Sequence, residues 1–140
     1  MVVFHSSHSC CLSLLNTFID RSFMYTTCNY NTIQTTTYNK FLTFGKYICE
    51  QLRAKGYWAD YIDPCSGLPM MTLNCNKVYS EVDGMECLLN YKAYNAGFCK
   101  ILTHPKWGSA VYPATIFAHA PAEIVTNLIE SLPSGLVSDA

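Results

Sequence analysis

The sequence has few charged residues and no block of one charge sign. Of its 140 residues, 14% are charged and 50% are hydrophobic, and the formal net charge is −1. Because a nucleic-acid-binding surface needs clustered Lys and Arg, nucleic acid is not expected as a partner. No window holds 18 uninterrupted apolar residues, so a membrane-spanning helix is not expected either. The length fits one compact domain with a sizeable core.

Several common catalytic and metal-binding motifs are also absent. The chain contains no Gly-x-Gly-x-x-Gly, Walker A sequence, Gly-x-Ser-x-Gly or His-Glu-x-x-His. It has eight cysteines, but no Cys-x-x-Cys pair that would support a zinc ribbon or a thioredoxin-type site. At about 6% of the chain, they are too sparse for a small disulfide scaffold. We expect free thiols in a reducing compartment, several of them buried.

The stretch LRAKGYWADYIDPCSGL, Leu52–Leu68, has the most specific local pattern. A helix is predicted to stop at Gly56, and the aromatic strand Tyr57–Ile62 follows at once. Asp63–Gly67 then forms a predicted turn, with Pro setting φ and Gly free to take φ > 0. The pattern predicts a fixed corner of an α+β domain. Asp60 lies among aromatic residues in this strand and needs hydrogen-bond partners if it is buried; the alternative is a partly exposed strand Asp.

Two helices are predicted to pack on a mainly antiparallel sheet. The first spans Lys40–Ala54, capped by Asn39 or a preceding Thr, and its core-facing stripe is Phe41, Phe44, Ile48 and Leu52. Pro121 opens the second, over Ala122–Leu132, with a buried face of Ile124, Val125, Leu128, Ile129 and Leu132.

The remaining segments give weaker patterns. Met1–His5 and Leu12–Ile19 fit a strand or a short helix, and Met85–Tyr94 is equally ambiguous. Asp83-Gly84 is a turn signal, and His104–Gly108 fits a hairpin connection between two strands. The predicted strands are Phe23–Thr27, Thr32–Thr37, Val78–Val82, Cys99–Thr103 and Ser109–Ala118.

Cys99 and His104 are the residues with the most chemical potential. A thiolate is a soft metal ligand and a nucleophile, and Lys100 and His104 would favour it if the fold brings them near. A Cys99–His104 nucleophile pair is conceivable but matches no family signature. The alternatives are a buried structural thiol and a surface hydrogen-bonding His. Trp107 is either a core plug or a partner anchor.

Two blocks of sequence carry a resemblance to a known family. The first is Leu52–Leu68, which differs from the family's LRAEGYWADFIDPSSGL at Lys55, Tyr61 and Cys65. The second is Gly97–Ile116, beside the family's Gly-Cys-Cys-Lys, His-x-x-Trp-Gly and following strand. An acidic pair, Glu81 and Asp83, also matches. From roughly Lys40 to Leu128 the chain resembles the C-terminal domain of the cobalamin-trafficking protein of the methylmalonic aciduria and homocystinuria type D family.

The resemblance implies a fold and a function. The fold is a nitroreductase-like scaffold without flavin, and the function is that of a non-enzymatic adapter. The adapter docks on the cobalamin-processing partner of the type C family and helps direct cobalamin to cytosolic and mitochondrial enzymes. It binds cobalamin only through that partner. A flavin-dependent nitroreductase-like oxidoreductase and an inactive structural fragment are the alternatives. Residues 1–39 are expected to be an atypical, truncated segment before a domain over residues 40–140.

The resemblance also implies site residues. In the family, a Cys of Gly-Cys-Cys-Lys binds the cobalt of partner-held cobalamin. Here the segment reads Gly97-Phe98-Cys99-Lys100, so Cys99 is the remaining candidate cobalt ligand. If the family's ligand is the first Cys, Phe98 cannot replace it, and Cys99 on a regular strand would point to the opposite face. The candidate partner-binding residues are Trp58, Asp60, Asp83, His104 and Trp107.

Overall fold

The computed structural model describes residues 2–5, 13–17, 30–109 and 111–132. Within these ranges the chain forms a four-stranded sheet, a separate two-stranded hairpin and three helices. The strands are β1 (Val2–His5), β2 (Ser13–Thr17), β3 (Trp58–Tyr61), β4 (Lys92–Ala96), β5 (Cys99–Thr103) and β6 (Thr115–His119). The helices are α1 (Tyr30–Ala54), α2 (Glu81–Leu89) and α3 (Ala122–Glu130). The predicted α+β class is confirmed.

The four-stranded sheet has the order β1-β2-β6-β3, and all its neighbouring strands are antiparallel. Strand β6 lies inside the sheet, and Ile116 and Ala118 on it are buried. The apolar faces of α1 and α3 pack into the same core, as predicted. The buried apolar residues of α1 and α3 are Phe41, Phe44, Ile48, Cys49, Leu52, Val125 and Leu128.

Helix α1 begins at Tyr30, so the strand predicted over Thr32–Thr37 and the cap predicted at Asn39 are both wrong. Thr37 is buried one helical turn before Phe41, which continues the apolar stripe. Packing on the sheet therefore overrides the strand preference of the threonines. The helix is continuous across residues 39 and 40, where the sequence analysis divides the chain; that division stays a prediction.

The corner after α1 is confirmed in detail. Gly56 has φ 84° and donates its N–H to Arg53, while Tyr57 donates to Leu52, which is a Schellman stop. The predicted turn follows β3, and Gly67 takes φ 70°. Within this turn, the Asp63 carboxylate accepts hydrogen bonds from the N–H groups of Cys65 and Ser66 and from the Ser66 hydroxyl.

Helix α2 replaces two predicted features. The strand over Val78–Val82 and the turn at Asp83-Gly84 are wrong, because Ser80 caps a helix there by accepting the N–H of Asp83. A polar cap followed by an acidic residue three positions later is a helix-start signal that the sequence analysis overlooked. Met85–Tyr94, left open from the sequence, holds most of α2 and the start of β4.

The loop His104–Gly108 is closed like a hairpin by an antiparallel bridge between its two end residues, but the strands predicted on either side of it do not pair with each other. Strand β5 is confirmed, but it pairs with β4, while β6 pairs with β2 and β3. Regular structure resumes only at Thr115, after Pro113, which has no N–H for a ladder. The two terminal segments that were left open contain strands β1 and β2. The strand predicted over Phe23–Thr27 lies outside the described residues.

Candidate functional site

The β4–β5 hairpin contains the segment Gly97–Lys100, in which the sequence analysis placed the candidate ligand Cys99. Ala96 pairs with Cys99, so Gly97 and Phe98 form a two-residue turn. Gly97 has φ 63° at the first turn position, which fits a type II′ turn. Phe98 therefore lies in the turn and not in a strand. The sequence argument that Phe98 and Cys99 point to opposite strand faces does not apply.

The outer half of this hairpin is exposed to solvent. Phe98 at the tip is 111% exposed relative to its reference state, and Cys99 beside it is also exposed. Behind the tip, the cross-strand pair Tyr94 and Ile101 is 56% and 42% exposed. We call Tyr94, Phe98, Cys99 and Ile101 the hairpin face. Exposed apolar side chains concentrated on one projecting element are typical of a protein-interaction surface.

The base of the hairpin is anchored to α2. Leu102 is buried against Met85 in a second small core. Partly buried side chains surround this pair: Val82, Leu89, Tyr91, Ala93, Trp107 and Val111. An isolated two-stranded hairpin is marginally stable in water, so this anchorage is what holds the hairpin face in place.

An ion-pair cluster adds a second link between the hairpin and α2. Lys100 Nζ lies 2.8 Å from Asp83 Oδ1 and 3.8 Å from Glu86 Oε2. The hydrogen bond to Asp83 raises the pKa of Lys100 and lowers the pKa of the Asp83 carboxyl. Because side chains alternate along a strand, Lys100 shares the helix-facing side of β5 with Leu102, and Cys99 and Ile101 take the other side.

His104 locks the loop at the end of β5. Its Nδ1 accepts the N–H groups of Lys106 at 3.0 Å and Trp107 at 3.3 Å, and its ring stacks on Trp107 with centroids 4.2 Å apart. Burial, and then the charge of Lys106, lowers the pKa of His104. An imidazole that accepts at Nδ1 is neutral, so the arrangement favours an uncharged structural His.

Cys99 and His104 do not assemble into a catalytic pair. They lie at opposite ends of β5, and five residues of extended strand separate their Cα atoms by about 16 Å. Trp107 is partly buried in the second core. Its ring stacks on His104, and the His104 ring in turn packs edge-on against Tyr91. Partner contacts by His104 and Trp107 remain predictions.

At the corner, Asp60 is a buried carboxylate with several hydrogen bonds, so the alternative of a partly exposed Asp is wrong. It is 2% exposed and lies 4.0 Å from the Arg53 guanidinium. Its donors are the N–H groups of Tyr61, Met70 and Met71 and the hydroxyl of Thr72. Arg53 also donates Nε–H to the carbonyl of Ala59 at 2.7 Å. Asp60 thus ties the segment after the turn to the end of β3.

Trp58 and Asp83 differ from Asp60 in being accessible. Trp58 is 47% exposed on β3, an edge strand of the sheet, and Asp83 is exposed on α2. The residues that sequence reasoning missed are Arg53 and Lys100 as structural links, and the buried contact between Glu81 and Thr115. Only the acidic pair Glu81 and Asp83 gave a signal, and it did not reveal that a carboxyl oxygen of Glu81 is buried.

The described residues hold no cluster of three or more His, Cys, Asp or Glu side chains arranged for a metal ion. Among the helices in those residues, none is both long and apolar enough to span a membrane.

Comparison with known proteins points to one family. The family model of the methylmalonic aciduria and homocystinuria type D protein matches residues 6–129. The chain is 40% identical over 84 residues to the cobalamin trafficking protein CblD of Rattus norvegicus, covering 60% of this chain and 28% of that protein. It is 41% identical over 81 residues to the Homo sapiens protein of the same name, covering 58% of this chain and 27% of that protein. The match thus spans little more than a quarter of either relative.

Proposed function

Because the chain belongs to the family of the methylmalonic aciduria and homocystinuria type D protein, we propose that it acts in cobalamin trafficking as a non-enzymatic adapter. The relatives' names state that they are cobalamin trafficking proteins. We propose that this chain docks on a cobalamin-processing protein of the type C family and reaches cobalamin only through it. We also propose that it helps direct cobalamin to cytosolic and mitochondrial enzymes.

The observation that carries the proposal is the hairpin face. Phe98, Cys99 and Ile101 lie on a hairpin that is attached to α2 through Leu102 and Lys100, and the tip has no described neighbour covering it. A projecting apolar tip fits a concave partner surface, where a buried aromatic side chain contributes strongly to affinity. A hairpin also inserts with little ordering cost when its base is already fixed by a core and by ion pairs.

The tip also bears on cobalt ligation. A thiolate is a soft ligand that suits cobalt, and the position that projects furthest is occupied here by Phe98. We propose that Phe98 stands where the family's ligand cysteine stands. The chain would then dock on the partner but form a thiolate–cobalt bond poorly, since Cys99 starts strand β5 behind the tip.

The proposal includes a nitroreductase-like scaffold that binds no flavin. An oxidoreductase of this kind needs a tightly held flavin and therefore purifies yellow. The protein should purify colourless, and flavin absorbance that survives dialysis at a stoichiometric level would overturn this part of the proposal.

Docking is tested by titrating the chain into cobalamin-loaded type C protein in a calorimeter. Phe98→Ser should weaken binding roughly tenfold or more, because it removes the aromatic tip. Leu73→Ser is the matched control: Leu73 is 84% exposed and lies outside the hairpin. Equal affinities for both variants and the unmodified chain would exclude the hairpin tip as the docking element.

A further inference from the structure

Glu81 is a partly buried residue whose carboxyl group is turned towards strand β6, with its Oε1 atom buried. It is the first residue of α2, and its Oε2 accepts the hydroxyl hydrogen of Thr115, the first residue of β6. Its other oxygen, Oε1, is buried without a hydrogen-bond partner among the residues that the structure describes. The phenol oxygen of Tyr79 is buried beside Thr115 as well.

The Tyr79 ring is fixed against the same strand. It packs edge-on against Phe117 of β6 with ring centroids 5.2 Å apart. Its hydroxyl also fills the space beside Gly84, where any added Cβ would collide with the Tyr79 side chain. The start of α2 is therefore held to β6 by the contact of Glu81 with Thr115 and by the packing of the preceding Tyr79 ring against Phe117.

The surroundings of Glu81 favour its neutral form. An ionised carboxylate with one unpaired oxygen loses hydration without compensation, whereas the neutral acid loses much less. Burial raises the pKa of Glu81 to about 7, against the opposing effect of its hydrogen bonds with Thr115. The helix N-terminus also favours the charged form, but it does not outweigh burial.

No described cation compensates Glu81. On α2, Asp83 and Glu86 are directed to Lys100, and Cys87 is an exposed thiol. The other titratable groups that sense Glu81 are the phenols Tyr79 and Tyr112, which precede α2 and β6. Strand β6 offers the uncharged Thr115 and Phe117.

The contact lies where it controls the hairpin. Helix α2 supports the hairpin through Met85 and through the Asp83–Lys100 pair, and β6 belongs to the main sheet. We propose that Glu81 is a proton-dependent joint, whose neutral carboxyl holds the start of α2 against β6 and whose ionisation loosens α2 together with the hairpin. Any effect on docking rests on the proposed function, but the loosening itself does not.

Proton linkage determines whether detachment of α2 becomes easier or harder as the pH rises. The attached state keeps the Glu81 proton to about pH 7, whereas a detached α2 exposes the carboxyl, which then ionises from about pH 4.5. Detachment therefore releases a proton between these values, and its equilibrium constant should rise roughly tenfold per pH unit until it levels off near pH 7.

Amide hydrogen exchange on the purified chain, corrected for intrinsic rates, measures this without any partner. In the unmodified chain, opening of Met85–Leu89 and Ile101–Thr103 should increase roughly fortyfold from about pH 5 to pH 7, relative to Glu81→Gln. Comparing the two proteins removes the contribution of His104, which titrates in both. Glu123→Gln is the control, since Glu123 occupies the first turn of α3 and is exposed. It should exchange like the unmodified chain.

Equal pH profiles for the unmodified chain and Glu81→Gln would overturn the proposal. An equal effect on α1, α3 and α2 would also overturn it, because that pattern is global unfolding. Should Glu81→Gln fail to fold, the carboxyl ¹³C resonance of Glu81 in the unmodified chain decides. A midpoint near pH 7 supports the joint, and an ordinary glutamate midpoint contradicts it.

Discussion

Lys100 Nζ lies 2.8 Å from Asp83 Oδ1, which joins strand β5 to helix α2 two residues behind the hairpin tip. Both side chains are at least half exposed, so salt and solvent screen the pair and its effect on global stability is small. Its structural effect is local, because it restrains the hairpin against the helix.

Replacing Asp83 by Asn should therefore loosen the hairpin without unfolding the domain. We expect faster amide exchange at Ile101–Thr103 and an unchanged urea midpoint. Glu50→Gln is the matched control, since it breaks the exposed Lys46–Glu50 pair at 3.9 Å on α1 and should leave hairpin exchange unaltered. A lowered midpoint for the Asp83 variant, or unchanged hairpin exchange, would contradict this role.

Asp60 should be far more important for stability than Asp63. Asp60→Ala leaves several buried hydrogen-bond donors without an acceptor and should cost roughly 3 kcal/mol or more of unfolding free energy. Asp60→Asn keeps the Oδ1 that accepts three N–H groups and should cost less. Asp63→Ala removes turn hydrogen bonds and should cost about 1 kcal/mol. Urea unfolding measures all three, and similar losses for Asp60→Ala and Asp63→Ala would refute the assignment.

The corner at Gly56 was predictable because its signals are local. A glycine helix stop and an Asp-Pro-x-Ser-Gly turn need only neighbouring residues to form. The burial of Asp60 was not predictable, because its donors at Met70, Met71 and Thr72 come from a segment ten to twelve residues further along the chain. Sequence reasoning identified the need for partners but not their source.

The stability of the chain should also depend on pH through His104. Its folded-state pKa lies below the ordinary 6.5, so the unfolded chain takes up a proton first as the pH falls. The contribution of His104 is complete above about pH 6.5 and is lost progressively below it. His104→Asn supplies an amide oxygen acceptor without a titratable ring. Urea midpoints from about pH 5 to pH 7.5 should show less acid destabilisation in that variant; an identical acid loss would show that other groups cause it.

The thiols should divide into reactive and inert groups. Cys49 is fully buried, and burial raises the pKa of its thiol to about 12. Cys65, Cys87 and Cys99 are exposed. Brief alkylation of the folded chain followed by peptide mapping should label these three and spare Cys49 until urea is added. Early labelling of Cys49 in folded protein would show that the core around α1 opens.

The hairpin shows where pairing defeats prediction from sequence. Cys99–Thr103 is recognisable as a strand by its composition. The sequence suggested pairing with the following strand, whereas the structure pairs it with the preceding strand β4. The choice between β4 and β6 depends on Leu102 meeting Met85 and on Lys100 meeting Asp83, both contacts of α2. Since α2 was itself taken for a strand and a turn, the support of the hairpin could not be foreseen.

The most direct test of the account is the absorption spectrum of cobalamin-loaded type C protein after addition of the chain. If the hairpin tip enters the cobalamin site, a thiol placed at its tip becomes a cobalt ligand. The unmodified chain and Cys99→Ser should leave the spectrum nearly unchanged, and Phe98→Cys should produce a thiolate-type spectrum. A thiolate spectrum from the unmodified chain that Cys99→Ser abolishes would contradict the assignment of Phe98, and no change with Phe98→Cys would contradict insertion of the tip.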